Sequence, residues 1–434
     1  MKNVLVIGAA RSGIAAARLL KRAGYNVVLT DMKEIDREGL DGIEIFDKGH
    51  PECLKERTYE FIVKNPGIPY TAPLIQYFSE RGDKIYTEIE TASRIAKNFH
   101  YGAITGTDGK TTVTTLLWEM LKKKDPRAQA AGNIGIPLSD VVLEHENENL
   151  DVALELSNFQ LLGTEAFHPE VCTVTNLAPD HLDYMDSLES YYASKMKIYA
   201  NCTPQDWFIR NVDDEQIMKY ATNIPCTVID FSLKRDDVDL YTKDGAAWLN
   251  DIRLFDVADL KIVGAFNCGN AMMAACMAYK LGVSLEDIRD VIRSFHGVEH
   301  RIEFVREIGG VRIYNDTKAT NTHAACAALS AFDRHVILLC GGKDKHISFD
   351  DLKQFDDEVK HCFSFGQTKD HFKEIFTRQT SVGTMEEAFS RAMNIAVPGD
   401  VVLLSPACSS FDQFRNYEVR GEIFKEMVDR YGKD

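Results

Sequence analysis

The chain has 434 residues, with 50 Lys and Arg against 66 Asp and Glu, for a formal net charge of −16. That balance excludes a surface built to neutralise nucleic-acid phosphates or to lie on an anionic membrane, but not small anions held by a few local donors. A hydrophobic fraction of 45% and a charged fraction of 27% are those of a soluble globular protein, and the length exceeds what one core organises, so several domains are expected.

In chain order, three blocks emerge. The first covers residues 1–93. It opens with strand VLVIG, a glycine turn, helix IAAARLLKRAG and strand NVVLTD, the β-α-β start of a parallel sheet. Strand and loop signals follow at FIVKNPGIP and, more weakly, at KIYT. The opening apolar run is too short for a signal peptide and is followed by Arg11, Gly13 and Arg18. The second block, residues 94–297, has strand YGAIT, loop GTDGKTT, helix VTTLLWEMLKKK and strands DVALEL and EVCTVTNL. The helical SLESYYASKMKIYANC, short strands WFIRN, CTVIDFS and GAAWLN, and a long helical stretch from Asn267 complete it, with Ser284 capping a second helix. The third block, residues 298–434, sets strands VRIYN, HVILLC, HCFSFG and DVVLLS between helical patterns, again parallel α/β. His296-Gly297 is the expected hinge. Ten cysteines lack a CxxC pair and read as reduced, mostly buried thiols of a cytoplasmic protein, and no apolar run reaches membrane-spanning length.

The strongest local signal is Gly106-Thr107-Asp108-Gly109-Lys110-Thr111-Thr112 between strand and helix. Glycines let backbone N–H groups crowd a polyphosphate at a helix N-terminus. Lys110 reaches the β/γ-phosphates and the Thr111 hydroxyl meets Mg²⁺. The first loop, Gly8 to Gly13, is a GxGxxG variant with Ala10 at the second glycine, and Asp31 ends the next strand where a ribose-binding acid is expected. The same glycines also serve a tight turn alone. Glu155 and His181 follow strands and are placed to meet the same Mg²⁺, since ligands collect at the carboxyl ends of parallel strands; either residue alone reads as a loop residue. From pattern alone Lys195 is a surface lysine over its Tyr neighbours, and nothing separates it from Lys197. Asn267 and Asn270 open a helix, as caps or as readers of a base or sugar. In the third block, residues 315–321, 341–345 and 405–414 follow three strands and suggest one composite pocket with cations at Lys318 and Lys345 and hydroxyls at Ser409 and Ser410. Arg301 lies just past the hinge, where domain closure would bring it to a phosphate.

Taken together and in order, GTDGKT, GNIG (132–135), ELSNFQL, NLAPDHLD, the YYASK lysine, NCGNA, HRIE and NDTKATN resemble the Mur ligase family of peptidoglycan amino-acid ligases. NDTKATN and SPACSSFDQFRNYEVRG (405–421) are most similar to its D-glutamate-adding members. The resemblance implies three α/β domains: a Rossmann-like UDP-sugar domain, a central P-loop ATPase-like parallel-sheet domain, and a Rossmann-like C-terminal amino-acid domain. It implies a cytoplasmic monomer that uses ATP as co-substrate and joins D-glutamate to UDP-N-acetylmuramoyl-L-alanine through an acyl-phosphate. Gly106, Thr107, Asp108, Gly109, Lys110, Thr111, Thr112, Asn267, Arg301 and Asp316 are implied at ATP. Thr111, Glu155, His181 and a carbamylated Lys195 are implied at two Mg²⁺ sites. Lys110, His181 and Lys195 are implied in catalysis, His181 orienting or deprotonating the incoming amine. Ser12 and Asp31 would meet the uridine end, and Asn133, Ser157 and Gln160 the rest of the UDP-sugar. Lys318, Thr320, Lys345, Ser410 and Tyr417 would form the D-glutamate pocket. Asp108 stands where the family more often has Asn, which adds a negative charge beside the phosphates.

Three other readings compete. Another amide ligase of this fold, such as a folylpolyglutamate synthetase or a Mur ligase adding a different amino acid, leaves the SPACSSFDQF segment and NDTKATN unexplained. An NAD-dependent oxidoreductase built on the first glycine turn leaves GTDGKTT unexplained. A non-catalytic nucleotide-binding regulator has no use for Lys110, Thr111, Glu155 and His181 together.

Overall fold

A computed structural model describes residues 2–178, 187–332, 335–344 and 348–431. The chain forms two compact units: the residues up to Ala258 with Gly269–Val291, and Asp259–Cys268 with the residues from Ile292 onward.

The first unit contains two sheets. One is built from β1 (Asn3–Ile7), β2 (Asn26–Thr30), β3 (Glu44–Phe46), β4 (Phe61–Lys64) and β5 (Ile85–Tyr86), all parallel, with α1 (Arg11–Arg22), α2 (Pro73–Glu80) and α3 (Glu88–Ile95). Its order is β3-β2-β1-β4-β5, so the chain leaves β1 toward one side and later returns to the other. Open parallel sheets take up ligands at the carboxyl ends of the strands that flank such a reversal, here β1 and β4.

The second sheet comprises β6 (Phe99–Thr105), β7 (Gln129–Gly132), β8 (Leu150–Glu155), β9 (Val171–Val174), β10 (Trp207–Asn211), β11 (Thr227–Phe231), β12 (Leu240–Lys243), β13 (Ala246–Leu249) and β14 (Ile252–Asp256). Its helices are α4 (Lys110–Lys124), α5 (Leu138–His145), α6 (Asn158–Leu162), α7 (Leu188–Met196) and α8 (Glu215–Tyr220), followed by α9 (Ala265–Lys280) and α10 (Leu285–Ser294). The order is β14-β13-β12-β11-β10-β9-β6-β8-β7. β6 therefore lies between β8 and β9, parallel to both. Every residue of β8 and β9 is buried, as strands covered on both faces require. The far edge, β12 to β14, is antiparallel, which the alternating α/β pattern alone did not announce.

The second unit has β15 (Glu303–Ile308), β16 (Val311–Asn315), β17 (Val336–Gly341), β18 (Val359–Phe365), β19 (Gln379–Ser381) and β20 (Val401–Leu404), in the order β15-β16-β20-β17-β18-β19. β15 is an antiparallel addition, joined to β16 through Gly309 and Gly310 at positive φ. Helices α11 (Thr322–Leu329), α12 (Met385–Ile395) and α13 (Tyr417–Tyr431) accompany it. β20 lies between β16 and β17, so the loops after these three strands emerge side by side.

Candidate active site

The loop between β6 and α4 turns on two glycines. Gly106 has φ +142°, and a Cβ there would fall 1.9 Å from Thr175 Oγ1; Gly109 has φ +78°, and a Cβ there would fall 2.5 Å from Asn270 Oδ1. Both positions need glycine for backbone conformation and for space. The loop is stitched to the segment after β9. Asp108 N donates to Asn176 Oδ1 at 2.9 Å, Thr175 Oγ1 donates to Asp108 O at 2.5 Å, and Thr107 Oγ1 donates to Ala178 O at 3.1 Å. Thr111 and Thr112 are half-buried in the first turn of α4, and the Asp108 side chain is exposed. The Lys110 ammonium folds back onto its own loop, donating to Gly106 O at 3.0 Å and Thr107 O at 2.7 Å.

Lys195 reaches the same loop from α7. It is 2% exposed, donates to Gly106 O at 2.7 Å and lies 4.6 Å from the Tyr191 ring centre. The surface-lysine reading is thereby overturned. Lys197, two residues on, instead donates to Leu162 O at 3.1 Å, away from the loop. Glu155 ends β8 beside Ile104 of β6 and is 1% exposed, so it is no solvated loop acid. Asn133 holds it twice: Nδ2 donates to Oε1 at 2.7 Å, and the Asn133 amide donates to the Glu155 carbonyl at 2.8 Å. The other oxygen, Oε2, is buried with no hydrogen-bond partner among the described residues. A buried carboxylate oxygen left open is what an oxygen-seeking cation requires. His181 lies outside the described residues.

Ser157 and Gln160 are joined as a capping box on α6: Ser157 N donates to Gln160 Oε1 at 2.9 Å and Gln160 N to Ser157 Oγ at 3.3 Å. Asn267 is buried on α9, with Nδ2 on Val263 O at 2.7 Å. Just after β2, Asp31 turns toward the glycine turn. Its Oδ2 accepts from Ala9 N at 2.6 Å and its Oδ1 from Lys33 N at 2.8 Å, so the acid braces the glycine turn itself. Ser12 Oγ accepts from Asn65 Nδ2 at 3.2 Å.

In the second unit, the loops after β16 and β20 share Asp316. This buried carboxyl accepts from Ser405 Oγ at 2.7 Å and from Ile302 N at 3.2 Å, and burial pushes it up to about 7. Arg301 is exposed and immediately precedes Ile302, whose amide donates to Asp316. Lys318 is half-buried, 5.6 Å from the Tyr417 ring centre, and Thr320 N donates to Lys318 O at 2.8 Å. Ser410 is buried; its carbonyl accepts from Phe414 N at 2.8 Å. Lys345 lies outside the described residues. Sequence reading overlooked the residue that ties this pocket together. Arg420, fully buried, donates to Thr317 Oγ1 at 2.9 Å, Thr317 O at 2.8 Å and Cys408 O at 3.1 Å, and burial lowers it to about 10. Its position at the end of the long 405–421 motif was the available signal.

Comparison with known proteins fits this arrangement. The Mur ligase middle domain matches residues 104–278, and the Mur ligase, glutamate ligase domain matches residues 300–408. The chain is 41% identical to the UDP-N-acetylmuramoylalanine--D-glutamate ligase of Geobacillus kaustophilus, covering 98% of this chain and 97% of that one. It is 39% identical to the enzyme of the same name from Exiguobacterium sibiricum, over 99% and 97%. Among solved structures, the UDP-N-acetylmuramate-alanine ligase MurC of Thermotoga maritima shares the fold, with a TM-score of 0.57 at 19% identity and 99% of each chain covered.

Proposed function

The chain belongs to the Mur ligase family, and from that premise we propose how it works. It is an ATP-dependent ligase that adds D-glutamate to UDP-N-acetylmuramoyl-L-alanine in peptidoglycan precursor synthesis. One observation carries the assignment of the reaction centre: Lys110 and Lys195 meet on the Gly106 carbonyl, while Glu155 ends the adjoining strand with one buried oxygen open.

The L-alanyl carboxylate attacks the γ-phosphate of ATP, the bond to ADP breaks, and an acyl-phosphate forms. The D-glutamate amine then attacks the acyl carbon, phosphate leaves, and the amine loses its proton. Backbone N–H groups of the loop not already bonded to Asn176, those of 109–112 at the start of α4, with Lys110, receive the phosphates. Binding would release Lys110 from its own loop carbonyls, which it now satisfies. Asn267, Arg301 and Asp316 are assigned to ATP contact, and His181 to orienting the amine. Asn133, Ser157 and Gln160 are assigned to the UDP-sugar, and Ser12 and Asp31 to the wall around its uridine end. Lys318, Thr320, Lys345, Ser410 and Tyr417 are assigned to D-glutamate.

Thr111, Glu155, His181 and Lys195 would hold two Mg²⁺ ions, and the open oxygen of Glu155 supports that donor set. Bound there, Mg²⁺ neutralises charge on the transferring phosphoryl group. An ammonium at Lys195 would repel a cation. Carbamylation, in which the neutral amine adds CO₂ and releases a proton, would turn it into an oxygen ligand.

Three domains divide near residues 93 and 297, a reading supported by three sheets spanning 3–86, 99–256 and 303–404. The enzyme acts in the cytoplasm as a monomer. Ten free cysteines support the compartment, and among the described residues no helix is long and apolar enough to cross a membrane. The test is an amino-acid panel with ATP and UDP-N-acetylmuramoyl-L-alanine, read by product mass. D-Glutamate alone should be incorporated. Preferential incorporation of another amino acid would refute the assignment.

A further inference from the structure

The N-terminal sheet contains a buried lysine that none of these roles uses. Lys64 is the last residue of β4 and is 1% exposed. Its ammonium donates to Ile68 O at 2.6 Å, Asn65 O at 3.3 Å and Pro66 O at 3.4 Å, and lies 4.7 Å from the centre of the Tyr70 ring. No carboxylate pairs with it among the described residues, and burial lowers the amine to about 8. A buried charge is tolerated when its protons are matched by acceptors. A lysine has three donors and no acceptor, and here three carbonyls of one loop receive them.

That loop, residues 65–68, follows β4 at the reversal point between β1 and β4. Asn65 N donates to Ile7 O at 2.9 Å, Asn65 Nδ2 donates to Ser12 Oγ at 3.2 Å, and Asn65 Oδ1 accepts from Gly67 N at 3.1 Å. A Cβ on Gly8 would fall 2.7 Å from Asn65 Cβ and 2.8 Å from Ile68 Cδ1, so the loop lies directly against the glycine turn. Buried and fully engaged, Lys64 is not free to meet a phosphate itself.

We propose that Lys64 is a positioning residue for the uridine end of the UDP-sugar: its ammonium is the core around which loop 65–68 folds, and the loop sets the width of the nucleotide crevice. This rests on the reading that the N-terminal domain binds the uridine end. The ligand class is a uridine diphosphate, reached through Asn65 and the Gly8–Gly13 turn.

The test compares wild type with Lys64→Met, which keeps length without charge, and with Asn65→Ala, which leaves Lys64 in place but cuts the link to Ser12. Measured are kcat, the KM for UDP-N-acetylmuramoyl-L-alanine, ATP and D-glutamate, and calorimetric binding of UDP alone. Both variants should raise the UDP-sugar KM and weaken UDP binding by about tenfold, the loss of roughly one ordered contact set. Values for ATP, D-glutamate and kcat should stay within about threefold. Wild-type KM in Asn65→Ala, or a melting shift in Lys64→Met without a selective KM change, overturns the proposal. If Lys64→Met does not fold, Lys64→Gln takes its place: a selective rise in the UDP-sugar KM is expected, and an unchanged KM overturns the proposal. Wild-type enzyme that turns over the UDP-sugar but does not bind UDP would instead overturn the crevice assignment, and the proposal with it.

Discussion

At Glu155 the two carboxylate oxygens have separate duties, and substitution can separate them. Oε1 is committed to Asn133 and Oε2 is open among the described residues. If Glu155 holds Mg²⁺ as proposed, Asn133→Ala removes the bond that orients it and should weaken Mg²⁺ activation by about 10- to 100-fold. Glu155→Gln keeps an acceptor for Asn133 but places an NH₂ where the cation needs oxygen, so it should cost at least as much. Titrating activity against Mg²⁺ checks both. Lys195 poses a sharper choice. If its ammonium matters only as a donor to Gly106 O, Lys195→Arg should retain activity. If a carbamate is required, Lys195→Arg and Lys195→Ala should both be inactive, and formate or acetate should restore the smaller variant. Activity assays with and without these acids distinguish the two. Residue identity was legible where a motif framed it, as for Lys110. Pattern alone did not separate Lys195 from Lys197, and only the family's YYASK motif did, because the packing of α7 decides which lysine points at the loop.

At the scale of elements, the β6–α4 turn depends on Gly106. Gly106→Ala introduces a Cβ 1.9 Å from Thr175 Oγ1 at φ +142°, which should destabilise the fold by roughly 1–3 kcal/mol. Nucleotide binding should suffer more, since the phosphate-facing amides move with the turn; thermal melting with and without ATP checks this. α3 is held by two buried acids. Glu88 accepts from Ser139 N at the start of α5. Glu90 accepts from Glu165 N at 2.9 Å and Phe167 N at 3.0 Å, and from Arg94 Nε at 2.5 Å. Burial pushes Glu88 up to about 7, well above its ordinary carboxyl value of 4.5. The folded state therefore binds this proton more tightly than the unfolded chain does. Stability from this group is fully present below the unfolded value and is lost as pH rises toward 7, with a slope of order 1 kcal/mol per pH unit. Urea midpoints of Glu88→Gln should fall less steeply than wild type across pH 5 to 7. The strands and helices were legible from their alternation, because buried parallel strands are short continuous apolar runs. These two acids were not, because their partners are backbone amides 51 to 77 residues away in sequence. The antiparallel edge β12–β14 escaped for a similar reason: its strands have the same composition as parallel ones.

For the whole molecule, the net charge of −16 stands against three anionic substrates. Long-range attraction cannot gather them, so on the proposed assignments capture would rest on short-range donors such as Lys110, Lys318 and the loop amides. Screening should then relieve repulsion rather than remove attraction. Between low salt and about 0.15 M, where the Debye length is about 8 Å, kcat/KM should not fall. For the same reason Lys110→Met and Lys318→Met should each be severe, with no surrounding positive field to compensate. The central claim concerns the coupling of three substrates in one ligation, and phosphate release tests it most directly. With ATP, UDP-N-acetylmuramoyl-L-alanine and D-glutamate all present, phosphate should be released in step with product. Omission of the UDP-sugar or of D-glutamate should stop sustained release. Steady phosphate release without D-glutamate, or none with all three present, would contradict the account.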